Sequence, residues 1–253
     1  MNNNSDNYLK NGFIVNKIDQ LDKFNYLNNS LKRNVKVFLN TKKEINLNFL
    51  HKYVGKDLNK LRLFLIQKIN KDKKFKDNLF SIAKKDIFDI VGNELAIQKN
   101  INLSIQCPND DSSLLPIHSD TWDGNSPFET VLWLPFVDCY KTKSMFILNA
   151  KKYSKFEKIY KSKKLISANG LYKNLKSHIE FVKIKQGHFM LFNQNLPHGN
   201  VVNKTSETRV SLNCRIKGLF TPYRQKELGS FFKPLIIRPA SKIGLKYKFP
   251  EKN

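Results

Sequence analysis

The chain has 253 residues, of which 40% are hydrophobic and 12% aromatic, which is enough for a sizeable core and excludes an intrinsically disordered protein. No apolar stretch reaches about 18 residues, so we expect no transmembrane helix. Residues 1–6 lack the basic head and apolar run of a secretory signal. The three cysteines form no CxxC pair, and their odd number does not suit a disulfide framework, so a reducing cytoplasm is the expected location.

The formal net charge of +24 has two interpretations. It would attract anionic partners such as nucleic acid, nucleotide-linked sugars or an acidic lipid surface. It also fits a compositional bias toward lysine, asparagine and isoleucine, with the lysines on an ordinary solvated surface. The lysines are spread along the chain and arginines are few, whereas specific phosphate recognition recruits clustered arginine. The distribution of lysine and arginine therefore favours a compositional bias as the origin of the charge, and nucleic acid is not the expected partner.

The first ninety-five residues have a mainly helical pattern. Residues 1–10 are polar and expected to be frayed, and residues 12–15 could form a short edge strand. Two helices are predicted from apolar residues at helical spacing: one begins at Asp57, and one runs from Leu79 to Val91 and ends at Gly92. We expect the helices of residues 1–95 to pack against the outside of the region that follows them.

From residue 100 the hydrophobic period changes from 3.6 to 2. Strands are predicted over 102–107, 130–136, 144–148, 179–185, 188–193 and 207–217, with Gly187 as a turn and a helical insertion over 151–164. Many short strands with turn signals indicate a sandwich, barrel or jelly roll. We interpret 1–253 as a single domain, with a β core over 100–220 and a C-terminal extension over 221–253.

A set of potential metal ligands lies in the β region. His118 and Asp120 are two residues apart, so they can point the same way at the end of a strand. His198 follows the strand predicted over 188–193 and could complete the site. Two imidazoles and one carboxylate occupy one face of an octahedral metal, which is typical of non-haem Fe(II) oxygenases. Arg209 stands on the next strand, and its guanidinium could bind an acidic co-substrate.

The pattern His118-x-Asp120 … His198 … Arg209-x-Ser211 resembles the Fe(II)/2-oxoglutarate-dependent oxygenases. Residues 118–133 resemble a narrower, phytanoyl-CoA-hydroxylase-like branch: the oxygenases of surface-carbohydrate gene clusters, related to a protein of streptomycin biosynthesis. The resemblance covers residues 100–220 well and the N-terminal third loosely. It implies a double-stranded β-helix, a cupin-like jelly roll, with helices packed outside.

The resemblance also implies the roles of particular residues. Iron would be bound by His118, Asp120 and His198, and O2 would take the last open position. The co-substrate 2-oxoglutarate would chelate iron, with its distal carboxylate bound by Arg209 and Ser211 and a further bond from Gln106. The implied substrate is a sugar or sugar-containing precursor used in surface polysaccharide or related carbohydrate biosynthesis. The enzyme would oxidise it, with hydroxylation favoured and desaturation or epimerisation left open.

Alternatives remain at several of these positions. The face of 207–217 that carries Arg209 and Ser211 could instead be the solvent side of a half-buried strand. Trp122 could stack on a sugar ring, with Asp123 accepting bonds from its hydroxyls, or could pack against the barrel rim. Neither His178 nor His188 is expected to bind metal, and His51 is expected to pack.

Two other functions also fit the sequence. An oxygenase acting on RNA or protein would suit the charge of +24. A non-catalytic cupin-like module that binds an anionic carbohydrate belongs to a different functional class.

Overall fold

The computed structural model describes residues 3–162 and 167–250. The strands are β1 (Phe13–Lys17), β2 (Leu95–Gln98), β3 (Asn102–Gln106), β4 (Glu129–Pro135), β5 (Phe146–Leu148), β6 (Ile179–Phe181), β7 (His188–Asn193), β8 (His198–Gly199), β9 (Arg209–Gly218) and β10 (Phe232–Ile236). The helices are α1 (Asn3–Asn11), α2 (Leu21–Phe38), α3 (His51–Val54), α4 (Leu58–Lys71), α5 (Lys73–Ser81), α6 (Lys84–Val91), α7 (Tyr153–Ser162), α8 (Ala168–Leu175) and α9 (Pro239–Gly244).

Two antiparallel sheets form the β core. The larger has the order β1-β7-β4-β9-β2-β10, and β3 pairs with the first half of β9 beside β2. The smaller has the order β6-β5-β8. A cavity lies between them, with walls from both sheets. This arrangement is the double-stranded β-helix, with helices on the outside, that the sequence predicts.

Strand β9 separates the apolar core from the cavity. Its even-numbered side chains, from Val210 to Ile216, are fully buried in the same apolar core as Leu61 and Leu65 of α4. Its odd-numbered side chains face the other way, because side chains alternate along a strand. The regular alternation predicted over 207–217 therefore creates one apolar face and one polar face.

The helical predictions are partly confirmed. Helix α4 follows Asp57 and buries Leu61 and Leu65 as predicted. The single helix predicted from Leu79 to Val91 is wrong: the chain forms α5 and α6 there. The backbone leaves the helical conformation at Ala83 (φ −121°, ψ 8°), and the two short helices bury separate apolar faces. Gly92 ends α6 with a φ of +110°, which a residue with a side chain rarely adopts.

The expectation of a frayed N-terminus is wrong for the part of it that the structure describes. Helix α1 is held by contacts with distant residues. The side-chain amide of Asn4 donates to Asp86 at 2.7 Å, and the Tyr8 hydroxyl lies 2.9 Å from that of Thr130. Local polarity gave no signal for these partners. The edge strand predicted at 12–15 is present as β1, which pairs with β7.

The larger sheet also extends beyond 100–220. Strands β1 and β2 come from the N-terminal region and β10 comes from the C-terminal extension, so these regions contribute strands as well as support. Strands β5 and β6 are shorter than predicted. Beyond β6, Val182 donates to the Met145 carbonyl and an isolated bridge joins Ile184 to Cys139. The insertion predicted over 151–164 contains α7, and residues 163 and 164 lie outside the described residues.

All three cysteines are buried and free. In the parts of the chain described here, no helix has the length and apolarity needed to cross a membrane.

Candidate metal centre and co-substrate cavity

The backbone places two histidines side by side. His118 donates its N–H to the carbonyl of His198 at 2.9 Å, and His198 donates back at 2.8 Å. This bridge joins the segment before Asp120 to β8 and brings the two imidazole centroids to 4.4 Å. Gly199 makes the approach possible, because a Cβ there would lie 2.6 Å from the carbonyl oxygen of Leu115.

Both imidazoles are oriented in the same way. The Nδ1 atom of His118 lies 2.7 Å from the carbonyl oxygen of Pro116, and that of His198 lies 2.8 Å from the carbonyl oxygen of Leu196. A carbonyl only accepts hydrogen bonds, so each Nδ1 carries the proton. Each Nε2 then keeps its lone pair for a metal, which is the usual way that a partner of the distal ring nitrogen selects the tautomer.

Asp120 completes the group at the start of a short 3-10 turn, Asp120–Asp123. Its backbone N–H donates to the carbonyl of Gln194 at 3.2 Å, and its carbonyl accepts from the side chain of Asn125. The Oδ1 atom lies 3.5 Å from Nε2 of His118. Across the described residues, His118, Asp120 and His198 form the one group of three potential ligands, with ligand atoms all within 4.8 Å of one another.

The protonation states suit a metal site. Burial alone would raise the pKa of Asp120, but its contact with His118 and the nearby positive charges outweigh burial, so the pKa of Asp120 lies below its usual range. Burial lowers the pKa of His198 to about 4. Burial also acts to lower the pKa of His118, yet the contacts with Asp120 and the Pro116 carbonyl raise it overall. Near neutral pH the site contains the carboxylate of Asp120 and the neutral imidazole of His198, which is buried.

The polar face of β9 lines the cavity next to these ligands. Arg209, Ser211, Asn213 and Arg215 all contribute to its wall, and the cavity has a volume of about 310 Å³. The solvent-side alternative for this face therefore does not describe Arg209 and Ser211, which are 3% and 1% exposed.

Arg209 is a buried cation with unused donors. Its Nη2 donates to Ser104 at 3.0 Å, whereas Nε and Nη1 have no hydrogen-bond partner among the described residues. The hydroxyl of Ser211 is also without one. Burial lowers the pKa of Arg209. A buried guanidinium without a counter-charge is costly, so its environment fits an anionic ligand that would supply the missing acceptors.

Of the remaining predicted site residues, the structure brings only Asp123 into the cavity. Gln106 lies on the same face of β3 as Ser104 but outside the cavity wall. It is fully buried and donates to the carbonyl of Val201 at 2.6 Å. Ser104, which sequence analysis missed, takes the position next to Arg209. The period of two along β3 could have indicated it.

Trp122 also lies outside the cavity wall. Its indole stacks on two aromatic rings of α7, with centroid distances of 5.9 Å to Phe156 and 5.8 Å to Tyr160. The side chain remains 44% exposed. Trp122 therefore packs against α7, and a contact of Trp122 with substrate stays a prediction.

The other histidines are separate from the metal group. His51 bonds through Nδ1 to the hydroxyl of Thr208 at 2.7 Å.

Arg215 also contacts the metal-ligand group. The sequence indicated no role in the site for this residue, although it shares a face of β9 with Arg209. In the structure, its Nη2 lies 2.8 Å from Oδ2 of Asp120.

The fold and these residues define a double-stranded β-helix with a two-histidine, one-carboxylate group at its cavity. No protein-family model matches the sequence, and no curated protein matches it.

Solved structures do share the fold. HygX from Streptomyces hygroscopicus with nickel and 2-oxoglutarate bound superposes with a TM-score of 0.53 at 12% identity, over 88% of this chain and 89% of that one. The non-haem α-ketoglutarate-dependent carbocyclase SnoK from nogalamycin biosynthesis gives 0.55 at 9%, over 89% and 88%. The non-haem monooxygenase ThoJ in complex with nickel gives 0.52 at 12%, over 93% and 84%.

Proposed function

We propose that this protein is an Fe(II)- and 2-oxoglutarate-dependent dioxygenase. The observation that carries the proposal is the position of Arg209. A buried guanidinium with two unpartnered nitrogens opens into the same cavity as His118, Asp120 and His198. A cavity with a metal-ligand group and an unneutralised cation fits a co-substrate that can chelate a metal and also carries a second carboxylate.

The three ligands fit ferrous iron. Two imidazole nitrogens and one carboxylate oxygen can take one face of an octahedron and leave three positions open. Bound iron would supply O2 activation coupled to the decarboxylation of 2-oxoglutarate to succinate, and through it the oxidation of a substrate C–H bond. Iron is bound in one HygX structure, and nickel with 2-oxoglutarate in another, which supports this assignment on a shared fold.

Arg209 and Ser211 would bind the distal carboxylate of 2-oxoglutarate. The unpartnered Nε and Nη1 donors lie on different edges of the guanidinium, so one of them, together with Nη2 or the Ser211 hydroxyl, would bond that carboxylate. Ser104 accepts from the third guanidinium nitrogen and fixes the orientation of the group. Gln106 lies outside the cavity wall and its amide donates to the Val201 carbonyl, so we assign the binding to Arg209 and Ser211.

The apolar wall would exclude water from the reacting atoms. Val131 and Trp133 of β4, Met145 and Phe192 line the same cavity. The protein's contribution is to orient the substrate and provide a dry, shaped pocket, while the oxidation chemistry belongs to the metal and its co-substrate.

The proposed substrate is a sugar or sugar-containing precursor, and the proposed reaction is hydroxylation. Asp123, Asn102 and Asn213 line the cavity and can bond hydroxyl groups. No lysine of the described residues is part of the wall, and its cations are Arg209 and Arg215. A role in surface-carbohydrate or related biosynthesis, and the narrower branch that residues 118–133 resemble, belong to this proposal.

A macromolecular substrate is the second candidate, because a net charge of +24 suits RNA or an acidic protein surface. A test for both candidates is succinate release from the iron-loaded protein with O2 and 2-oxoglutarate. A panel of sugars, nucleotide sugars, tRNA and ribosomal protein is compared with the rate without substrate.

The proposal is supported if a sugar compound stimulates succinate release and if this stimulation is lost in Asp120→Ala and kept in His188→Ala. If only RNA or protein stimulates succinate release, the substrate is a macromolecule and not a sugar compound. Absence of metal and 2-oxoglutarate binding would instead indicate the non-catalytic module.

A further inference from the structure

Arg215 and His118 contact different oxygens of the Asp120 carboxylate. Nη2 of Arg215 lies 2.8 Å from Oδ2, while Oδ1 lies 3.5 Å from Nε2 of His118. The two oxygens of one carboxylate therefore have different partners. Oδ1 faces the ligand group, and Oδ2 is bound by a guanidinium in a charge-assisted hydrogen bond.

Arg215 is itself fixed by three elements. Its Nε donates to the side-chain oxygen of Gln194 at 3.1 Å, and its Nη1 to that of Gln98 on β2 at 3.4 Å. The carboxylate of Glu129 on β4 lies 4.0 Å from Nε. The arginine side chain is 15% exposed. The guanidinium thus has a defined orientation when it meets Asp120.

Gln194 connects this arrangement to the backbone of the ligand. Its carbonyl accepts the N–H of Asp120 at 3.2 Å, and its side-chain amide donates to the carbonyl of Ser126 at 2.8 Å. One residue therefore orients both the backbone of Asp120 and the guanidinium that contacts its side chain.

We propose that Arg215 is a positioning residue that makes Asp120 a one-oxygen metal ligand, an inference that rests on the proposed function. A carboxylate can bind a metal through one oxygen or two. With Oδ2 engaged by Arg215 at 2.8 Å, binding of a metal through Oδ1 alone is favoured. Three positions then remain on an octahedral metal, the number needed for a two-point co-substrate and O2. Asp120 with both oxygens free could occupy one of them.

The test uses Co(II), whose visible d–d bands report the ligands and their number, with the full-length apoprotein. We expect wild-type protein to bind Co(II), and 2-oxoglutarate to shift the bands. In Arg215→Gln the Co(II) bands should differ from those of the wild-type protein even before 2-oxoglutarate is added. The Kd for Co(II) should rise by about tenfold or more, the size usual for loss of a partner behind a metal ligand, and the Kd of the Co(II) protein for 2-oxoglutarate should rise with it.

Two further variants separate positioning from simple destabilisation. Arg215→Lys keeps a cation but cannot reach Asp120, Gln98 and Gln194 together, so we expect intermediate bands and an intermediate Kd. The matched control is Arg62→Lys, in which the arginine contacts Asp110 at 3.5 Å outside this cavity, and it should behave as wild type. If Arg215→Gln does not fold, Arg215→Lys alone decides between wild-type and altered bands.

Each outcome bears on a specific claim. Wild-type bands and a 2-oxoglutarate Kd within twofold of wild type in the Arg215 variants would overturn the positioning role and leave the proposed function intact. If the wild-type protein binds no Co(II), or binds it equally well as Asp120→Ala, both the positioning role and the proposed function are overturned.

Discussion

His118 and His198 exchange both backbone hydrogen bonds, at 2.9 and 2.8 Å, so the two imidazoles of the candidate metal site are neighbours across a β bridge. The geometry of the site is therefore a property of the sheet rather than of a loop. Each ring is oriented by a carbonyl two residues earlier in the chain, Pro116 for one and Leu196 for the other. Changes that disturb this bridge should affect metal binding before they affect the rest of the fold.

Gly199 tests this dependence on the bridge. A Cβ at Gly199 would lie 2.6 and 2.9 Å from the carbonyl oxygens of Leu115 and Pro116, so Gly199→Ala must displace backbone. We expect the free energy of unfolding to fall by about 1–3 kcal/mol, the usual cost of overpacking, and Co(II) affinity to fall with it. The matched control is Gly244→Ala, where nothing lies within 4 Å. Equal Co(II) affinity in the two variants would show that the close approach does not position the ligands.

Replacing any member of the ligand group should abolish turnover. His118→Ala, Asp120→Ala and His198→Ala each remove one of three donors that lie within 4.8 Å of one another. His178→Ala and His188→Ala change histidines outside the group and should keep nearly full activity. The measurement is succinate release at saturating iron. Full activity in Asp120→Ala would end the assignment.

Arg209 should determine the affinity for 2-oxoglutarate. Arg209→Lys keeps the charge but loses the two-point contact, and Arg209→Ala loses both. A lost charge-assisted hydrogen bond is worth about 1.5–3 kcal/mol, or roughly ten- to a hundredfold in Kd. Co(II) affinity in the same variants serves as the internal control and should stay near wild type. An unchanged 2-oxoglutarate Kd in Arg209→Ala would exclude this role.

Metal affinity should depend on pH through His118. Its pKa is raised, so a proton competes with the metal as the pH falls through a range above 6.5, the ordinary value for histidine. His198, with a pKa of about 4, should contribute only in more acidic solution. Asp123 adds to the raised value, so Asp123→Asn should move the loss of Co(II) binding to lower pH. Titrations of Co(II) affinity from pH 5 to 8 measure both effects, and a profile flat across that range would contradict them.

Trp122 distinguishes packing from substrate contact. The indole stacks on Phe156 and Tyr160, and 44% of it is exposed. If it packs, Trp122→Ala should lower the free energy of unfolding by about 1–3 kcal/mol, less than for a fully buried ring. The loss should not add to that of Tyr160→Ala, because the two rings are in contact. A wild-type melting temperature with a raised substrate KM would instead place Trp122 in the substrate site.

The sequence identified those site residues that can be recognised from their residue type and from the period of two along a strand. His118, Asp120, His198 and Arg209 combine ligand chemistry with strand positions, and the alternation along β9 assigned Arg209 and Ser211 to one face. It did not indicate where along a strand the cavity ends. Gln106 lies on the same face of β3 as Ser104, but its side-chain amide donates to the carbonyl of Val201.

Several of the remaining misses have one physical cause. Helix α1, the contact of Arg215 with Asp120 and the stacking of Trp122 all depend on partners distant in the sequence. The same holds for β10, whose partner β2 is separated from it by most of the β core. Local composition and periodicity contain no information about such partners.

The central claim is that one cavity binds ferrous iron and 2-oxoglutarate together. Its most direct test is anaerobic addition of Fe(II) and then 2-oxoglutarate to the apoprotein, followed by visible absorption. We expect a weak metal-to-ligand charge-transfer band in the wild-type protein, at higher 2-oxoglutarate concentration in Arg209→Ala, and not in Asp120→Ala. A wild-type protein that binds Fe(II) but shows no band at saturating 2-oxoglutarate would contradict the claim.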